Sequence, residues 1–406
     1  MNCAKHWVFF FVAAVALTSR GPQTFGAWYT YQGNSSHTGY VPGALNTSSF
    51  GLLWQRTNLG SQLNPPVIGG GKVFVSNNGY FTGGALTALD AATGATSWSI
   101  NPFGTPFSIN PPAYADGKVY IQTCNHSGDT YLHAFDANSG GLAFRAAFSA
   151  QWESYYSPTP FSNDVYINGG YYGGAYGFSG QNGAQRWFTG LPQYDDWTPA
   201  VDNAYVYAYV GDYSPALYVL NRTTGSLAYS ISDPHFDWNG WSMNLAPVLG
   251  GNNDVLAIHD GRLISFDLTN RRIGWELPRN FSGQPTVAGG VIYAVDSNTL
   301  TAWDERTETL LWSWAAPDGS AVQGTMIATD SHIFVGAGTK TYAVSLVSHT
   351  SDWSFNAAGS LALDNGVLYI AGNNGQLTAV GVPEPSAALL LIAGIVGTLS
   401  VWRIRR

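Results

Sequence analysis

The stretch Ala88-Leu89-Asp90-Ala91-Ala92-Thr93-Gly94-Ala95-Thr96-Ser97-Trp98 sets the architecture, because the chain repeats its pattern many times. An apolar pair leads into an acidic or small polar residue. A glycine follows four residues later, and an aromatic four after that. Locally this predicts the end of one strand at Leu89, a tight turn from Asp90 to Gly94, and a returning strand that carries Trp98. The Asp side chain can bond backbone N–H groups two or three residues on, and Gly takes the positive φ that closes the turn. Trp98 supplies a large apolar area for burial.

The same spacing fits Asp136, Gly140 and Phe144, then Ser179, Gly183 and Trp187, then Asn221, Gly225 and Tyr229. It holds with Arg271, Glu308 and His349 in the glycine position before Trp275, Trp312 and Trp353. The aromatic recurs every 37 to 46 residues, the period of propeller blades. Each repeat predicts four short strands, in the first Pro65–Val67, Lys72–Val75, Ala85–Leu89 and Ala95–Ile100. The last repeat, 361–380, stops before its turn and fourth strand. Phe50-Gly51-Leu52-Leu53-Trp54-Gln55-Arg56 has the Trp of a fourth strand and no blade before it. Pairing the two closes a ring and removes exposed sheet edges. The expected fold is therefore all-β: an eight-bladed β-propeller closed by an N-terminal strand, plus a C-terminal apolar helix. Trp54, Trp98, Phe144, Trp187, Tyr229, Trp275, Trp312 and Trp353 are its equivalent aromatics, expected to dock blade on blade.

Composition agrees. Charged residues make up 10% of the 406 residues, well below the roughly 25% of a typical soluble protein, while Gly (48), Tyr (23) and Trp (15) abound. Net charge is −8 with no basic run in the body, which argues against a nucleic-acid partner. There are two cysteines, Cys3 and Cys124. Cys3 falls in the leader, so no internal disulfide is expected in the mature chain.

Both ends read as targeting segments. Residues 1–26 have Lys5 and His6 before the apolar run Trp7–Leu17, the pattern of a secretory signal peptide. Residues 383–406 hold Pro383-Glu384-Pro385, an apolar run Ala387–Trp402, and a basic end with Arg403, Arg405 and Arg406. That run is a marginal transmembrane helix, completed by Trp402 and snorkelling arginines that stay cytoplasmic. Between them lies the propeller, residues 27–382.

Two resemblances follow. The lead-in Trp28-Tyr29-Thr30-Tyr31-Gln32-Gly33-Asn34-Ser35-Ser36-His37-Thr38-Gly39 and the repeated Leu-Asp…Gly…Trp turn resemble the PQQ-like, or quinoprotein-type, β-propeller family. That family includes dehydrogenases, assembly scaffolds and proteins of unknown role. The C-terminal order of Pro-Glu-Pro, apolar helix and arginines resembles the PEP-CTERM sorting signal of Gram-negative bacteria. This resemblance implies a transient exosortase partner that removes the tail. It also implies export across the inner membrane, transient anchoring by the C-terminal helix, and release to the cell surface or extracellular polymer matrix.

Catalytic motifs are not visible. The family's dehydrogenases use PQQ with a vicinal disulfide and a calcium site; Cys124 has no neighbouring cysteine, and no Asp-x-Asp-x-Asp-Gly loop occurs. No cofactor is expected, PQQ and calcium included, and no catalytic residue or metal site is assigned. No Gly-x-Ser-x-Gly, His-Glu-x-x-His or P-loop is present. His126 and His133 lie near Asp129 in one loop, a set that could hold a metal, but they read as solvated turn residues; a carboxylate pair such as Asp195-Asp196 would suit glycoside hydrolysis only at a separation set by the fold. The most distinctive surface is a set of aromatic and acidic linkers before the third, fourth and fifth inner strands. They carry Trp152, Glu153, Tyr155 and Tyr156, then Asp195, Asp196 and Trp197, then Asp237, Trp238 and Trp241. Such groups either bind a glycan or small polar ligand or pack neighbouring blades. The expected function is non-enzymatic: an exported binding or scaffold protein that meets extracellular polysaccharide or a surface protein. A PQQ-dependent oxidoreductase and an outer-membrane assembly scaffold are the alternatives.

Overall fold

The repeated turn forms as its residues dictate. One Asp90 carboxylate oxygen accepts from the Thr93 N–H (2.8 Å) and hydroxyl (2.7 Å), and Gly94 N–H bonds Asp90 O at 2.8 Å. Asp136 with Ser139, Asn221 with Thr224, Asp267 with Asn270 and Asp304 with Thr307 repeat the arrangement. These hydrogen bonds hold the Asp90, Asp136, Asp267 and Asp304 carboxyls below their ordinary range. The computed structural model describes residues 28–77, 84–101, 108–124, 130–150, 156–192, 197–211, 214–237 and 246–382. Residues 1–27 and 383–406, where the sequence predicts a secretory signal and a sorting tail with an apolar helix, lie outside them. Among the described residues the only helical element is the 3-10 turn Thr47–Ser49, and no helix is long and apolar enough to cross a membrane.

The described strands form seven sheets: five of four strands, one of five and one of seven. Strands run from the channel outward in sequence order, as in Val67–Gly69, Lys72–Ser76, Leu86–Asp90 and Thr96–Ile100. The closing strand is where the sequence places it. Gly51–Arg56 pairs antiparallel with Leu377–Gly381, in the sheet that holds Tyr369, and Ser360–Asp364 at that sheet's inner end lies against Val67–Gly69 of the first repeat. The seven-stranded sheet departs from the expected pattern of separate four-stranded sheets. Arg272–Ala288 is one 17-residue strand that serves as the outer strand of the fifth repeat and the inner strand of the sixth. The connection between those repeats is short enough to stay extended, and Phe281 pairs with both Gly261 and Asp296.

The turn glycines have a second duty. A Cβ on Gly94 (φ +69°) would lie 2.6 Å from the Trp54 ring, and one on Gly225 (φ +71°) 2.5 Å from Trp187. Trp54, Trp98 and Trp187 thus lie against the next repeat's turn, and the indole N–H of each reaches a carbonyl there. Trp54 donates to Ala91 O at 2.9 Å, Trp98 to Ala137 O at 3.0 Å, and Trp187 to Arg222 O at 2.9 Å. At two of the three positions where glycine is replaced, the new side chain covers the ring instead. The Arg271 guanidinium stands 4.4 Å from the Tyr229 centroid, and His349 stacks on Trp312 at 4.7 Å.

The N-terminal segment occupies the channel. Its carbonyls accept in turn from inner-strand N–H groups of Ile68 (to Trp28), Tyr114 (to Tyr29), Val201 (to Ser35), Leu249 (to Ser36), Val287 (to Thr38) and Ala328 (to Gly39), at 2.7–3.0 Å. All six donors hold the same position in their repeats, next to the hairpin between first and second strands. The third repeat has Pro160 there, which has no N–H to give. Fully buried His37 ties the segment across the channel, its two ring nitrogens 2.7 and 2.9 Å from Tyr31 O and Pro199 O. Burial pushes its imidazole below the usual pKa, against the upward pull of both carbonyls.

Candidate functional site

Antiparallel strand order puts the linkers between repeats and the second-to-third-strand hairpins on one face. The N-terminal segment fills the opposite end. A cavity of about 660 Å³ opens on the linker face. It is built mainly by the seventh and eighth repeats, through Gln323, Thr339, Asn356, Ser360, Asn373 and Gln376, and Tyr156 of the third repeat also lines it. A bulge between Gln323 and Ile327, with Gly324 at φ +81°, lengthens the inner strand of the seventh repeat and carries Gln323 to the lining. Asn374 holds the eighth-repeat loop by accepting from Gln376 N–H at 3.2 Å. Every described lining side chain is uncharged.

The residues singled out in the sequence divide. Tyr156 reaches the cavity and meets Tyr31 edge to face, centroids 4.7 Å apart. Burial, then Tyr156, pushes the Tyr31 phenol well up, so it stays neutral. Trp197 is a correction: it is 1% exposed in the core beside Tyr166 and Val201, and so belongs to packing, not to a ligand surface. Asp237 is exposed, and its carbonyl accepts from His259 Nε2 at 3.0 Å. The linker leading to it is pinned by Arg262, which bonds buried Asp233 at 2.8 Å, and by Phe236 stacked on His259 at 4.0 Å. Trp152, Glu153, Tyr155, Asp195, Asp196, Trp238 and Trp241 lie outside the described residues. His133 is a second correction. It sits in strand Thr130–Asp136, buried and 3.0 Å from the Thr123 hydroxyl, not in a solvated turn. Burial, then Arg145, lowers its pKa to about 4. His126 and Asp129 are outside the described residues, among which no group of three potential metal ligands occurs.

The sequence reading missed the amide groups of the cavity. It also missed a buried acid pair on the other face, between the fifth and sixth repeats. Asp254 is 5% exposed and Glu305 1%. Ser265 donates to Asp254 Oδ2 at 2.5 Å, and Gly251 N–H to Glu305 Oε1 at 2.6 Å. Asp254 Oδ1 and Glu305 Oε2 are buried without a hydrogen-bond partner. Burial raises both carboxyls, Glu305 to about 6 with the Asp254 charge adding to it. The folded state therefore holds a proton that the unfolded state releases. Stability from this pair is present below the unfolded value near 4.5 and is lost as pH rises through about 6. Glu305→Gln supplies a neutral amide donor toward Asp254. It is expected to raise the melting temperature at pH 8, by about 1–2 kcal/mol in stability, and to flatten the stability profile between pH 5 and 7. An unchanged profile would count against a proton held by the folded pair.

The family model of the outer membrane protein assembly factor BamB matches residues 37–187 and 82–314. The chain belongs to this PQQ-like, BamB-type repeat family. The crystal structure of BamB from Moraxella catarrhalis superposes at TM-score 0.64 and 16% identity, over 82% of this chain and 99% of that one. Two quinohemoprotein alcohol dehydrogenases share the fold as well. ADHIIG from Pseudomonas putida HK5 gives TM-score 0.69 at 14% identity, over 89% of this chain and 81% of its own. The Comamonas testosteroni enzyme gives 0.66 at 17%, over 89% and 82%. At such identities the likeness is one of fold. No curated protein matches the chain.

Proposed function

We propose that the chain is an exported, non-enzymatic binding protein whose ligand is a neutral, polyhydroxylated glycan held at the linker face of an eight-bladed propeller. The lining of the 660 Å³ cavity carries this reading. Its side chains offer amides and hydroxyls that both donate and accept, the complement of sugar hydroxyls. It does not fit a quinone–calcium group. The described lining has no Arg or Lys to face the carboxylates of PQQ, and no Asp or Glu to ligate a hard divalent cation. The eight-blade count is supported by eight equivalent inner-strand positions, Ile68, Tyr114, Pro160, Val201, Leu249, Val287, Ala328 and Leu363, each facing the matching residue of its second strand.

The residues 1–26 signal and the Pro383-Glu384-Pro385 tail support export and exosortase processing. The mass of the released form checks this: a C-terminus near Pro383–Pro385 is expected, and a chain ending at Arg406 contradicts it. Binding is tested by calorimetry with neutral oligosaccharides. Asn356→Ala combined with Gln323→Ala is expected to weaken the affinity about tenfold with unchanged folding. Affinity that the double variant leaves intact, or that appears only for anionic glycans, overturns the reading. The family model itself favours a second reading, an outer-membrane assembly scaffold, which predicts co-purification with the barrel-insertion machinery.

A further inference from the structure

The hairpin between the second and third strands of the third repeat, Asn168-Gly169-Gly170-Tyr171-Tyr172-Gly173-Gly174, stands on the same face as the cavity. Tyr171 and Tyr172 are 59% and 67% exposed, and they meet edge to face with centroids 5.0 Å apart. Their backbone is nonetheless fixed. Gly169 N–H bonds Gly174 O at 3.0 Å, Gly170 N–H bonds Ser149 O at 2.7 Å, and Leu191 N–H bonds Gly173 O at 3.3 Å. The flanking glycines are required: Gly170 and Gly173 lie at φ +103° and +99°, and a Cβ on Gly174 would fall 2.5 Å from the Phe188 ring. Two large amphipathic side chains thus stand in water on a fixed backbone, where packing does not need them. Such side chains lose little freedom on binding.

The hairpin also lies within reach of the cavity. Ala150 bridges to Gly170, and Tyr156, six residues on, lines the cavity. Six residues span at most about 20 Å, so one extended ligand can touch both places.

We propose that Tyr171 and Tyr172 form an outer contact for the glycan whose inner residues fill the cavity, so that the ligand is recognised as a polymer rather than as a short oligosaccharide. This rests on the reading of the cavity as a neutral-glycan site. Ring faces stack on sugar C–H groups and the phenol hydroxyls bond sugar hydroxyls. Joining two weak contacts on one chain raises affinity without a new strong one.

The test compares a linear galactomannan and a mixed-linkage glucan with hexasaccharides cut from each, titrated against the full-length protein. The polymer that binds is expected to bind about tenfold more tightly than its hexasaccharide. Tyr171→Ala/Tyr172→Ala is expected to abolish that difference while leaving hexasaccharide affinity and melting temperature unchanged. Tyr171→Phe/Tyr172→Phe retains most of it through stacking. Equal affinities for long and short chains, or a polymer preference that survives the double alanine variant, overturns the outer contact and leaves the cavity reading intact. Binding of neither polymer nor hexasaccharide overturns both.

Discussion

Trp54→Ala is expected to cost about 3–5 kcal/mol of stability, the range for a truncated buried tryptophan. The ring is 8% exposed and fills a seam made by three parts of the chain. It belongs to the N-terminal closing strand, lies on Gly94 of the first repeat, and packs 5.8 Å from Tyr369 of the last. Its indole N–H donates to Ala91 O, which also accepts from the Tyr369 hydroxyl at 3.1 Å. Alanine leaves a void that neither neighbour can fill, because the Gly94 turn is closed by Asp90 and Tyr369 is held by its own bond. Leu52 lies on the same strand but is 51% exposed, so Leu52→Ala serves as the control, with an expected change within about 0.5 kcal/mol. Urea titrations monitored by fluorescence and by circular dichroism give both values. A Trp54→Ala cost no larger than that of Leu52→Ala contradicts the seam.

The equivalent aromatics share this logic, and it explains how much of the fold was legible in the sequence. The turn is local: Asp90, Thr93, Gly94 and Trp98 fall within nine residues, so spacing alone exposes it. Closure was legible for a different reason. Trp54 has the form of a fourth-strand residue with no repeat before it, and the last repeat lacks that strand. By contrast, the 17-residue strand Arg272–Ala288 was hidden, because Pro278 and Gly283 within it look like linker residues. Only the pairing of Phe281 on both sides shows that the chain stays extended there.

The site was less legible, also for physical reasons. The linkers with Trp and Asp residues stand out chemically, yet Trp197 is packed in the core and Phe236 is stacked under the face. The cavity is made instead by Gln323, Asn356 and Asn373, whose amides sit in segments that read as ordinary turns. What brings them together is the bulge at Gly324 and the radial placement of two repeats, neither of which has a local signature. The path of residues 28–39 was similarly out of reach. Their pattern marks a lead-in, but the succession of carbonyls accepting from six inner strands depends on contacts with residues 68 to 328. The interruption at Pro160 coincides with a cleft of about 360 Å³ on that face, lined by Tyr29, Tyr114, Pro160 and Phe161.

Ring closure is the feature on which the cavity, the packed N-terminal segment and the aromatic seams all depend, and a covalent link across the seam tests it. Gln55 and Thr378 face each other in the closing pair, with Gln55 Nε2 donating to Thr378 Oγ1 at 3.2 Å. Opposed residues of an antiparallel pair have Cα atoms about 4.5–5.5 Å apart, within the reach of a disulfide. The residues are 323 apart in sequence, so the bond closes nearly the whole ring. By the loop-closure relation it is expected to add up to about 5 kcal/mol of stability. The decisive measurement is mass spectrometry of proteolytic peptides from oxidised Gln55→Cys/Thr378→Cys protein. An intramolecular disulfide joining the two peptides, with a raised melting temperature that falls again on reduction, is the expected result. Free thiols at both positions in folded protein, or a link formed only between molecules, would contradict the closed ring.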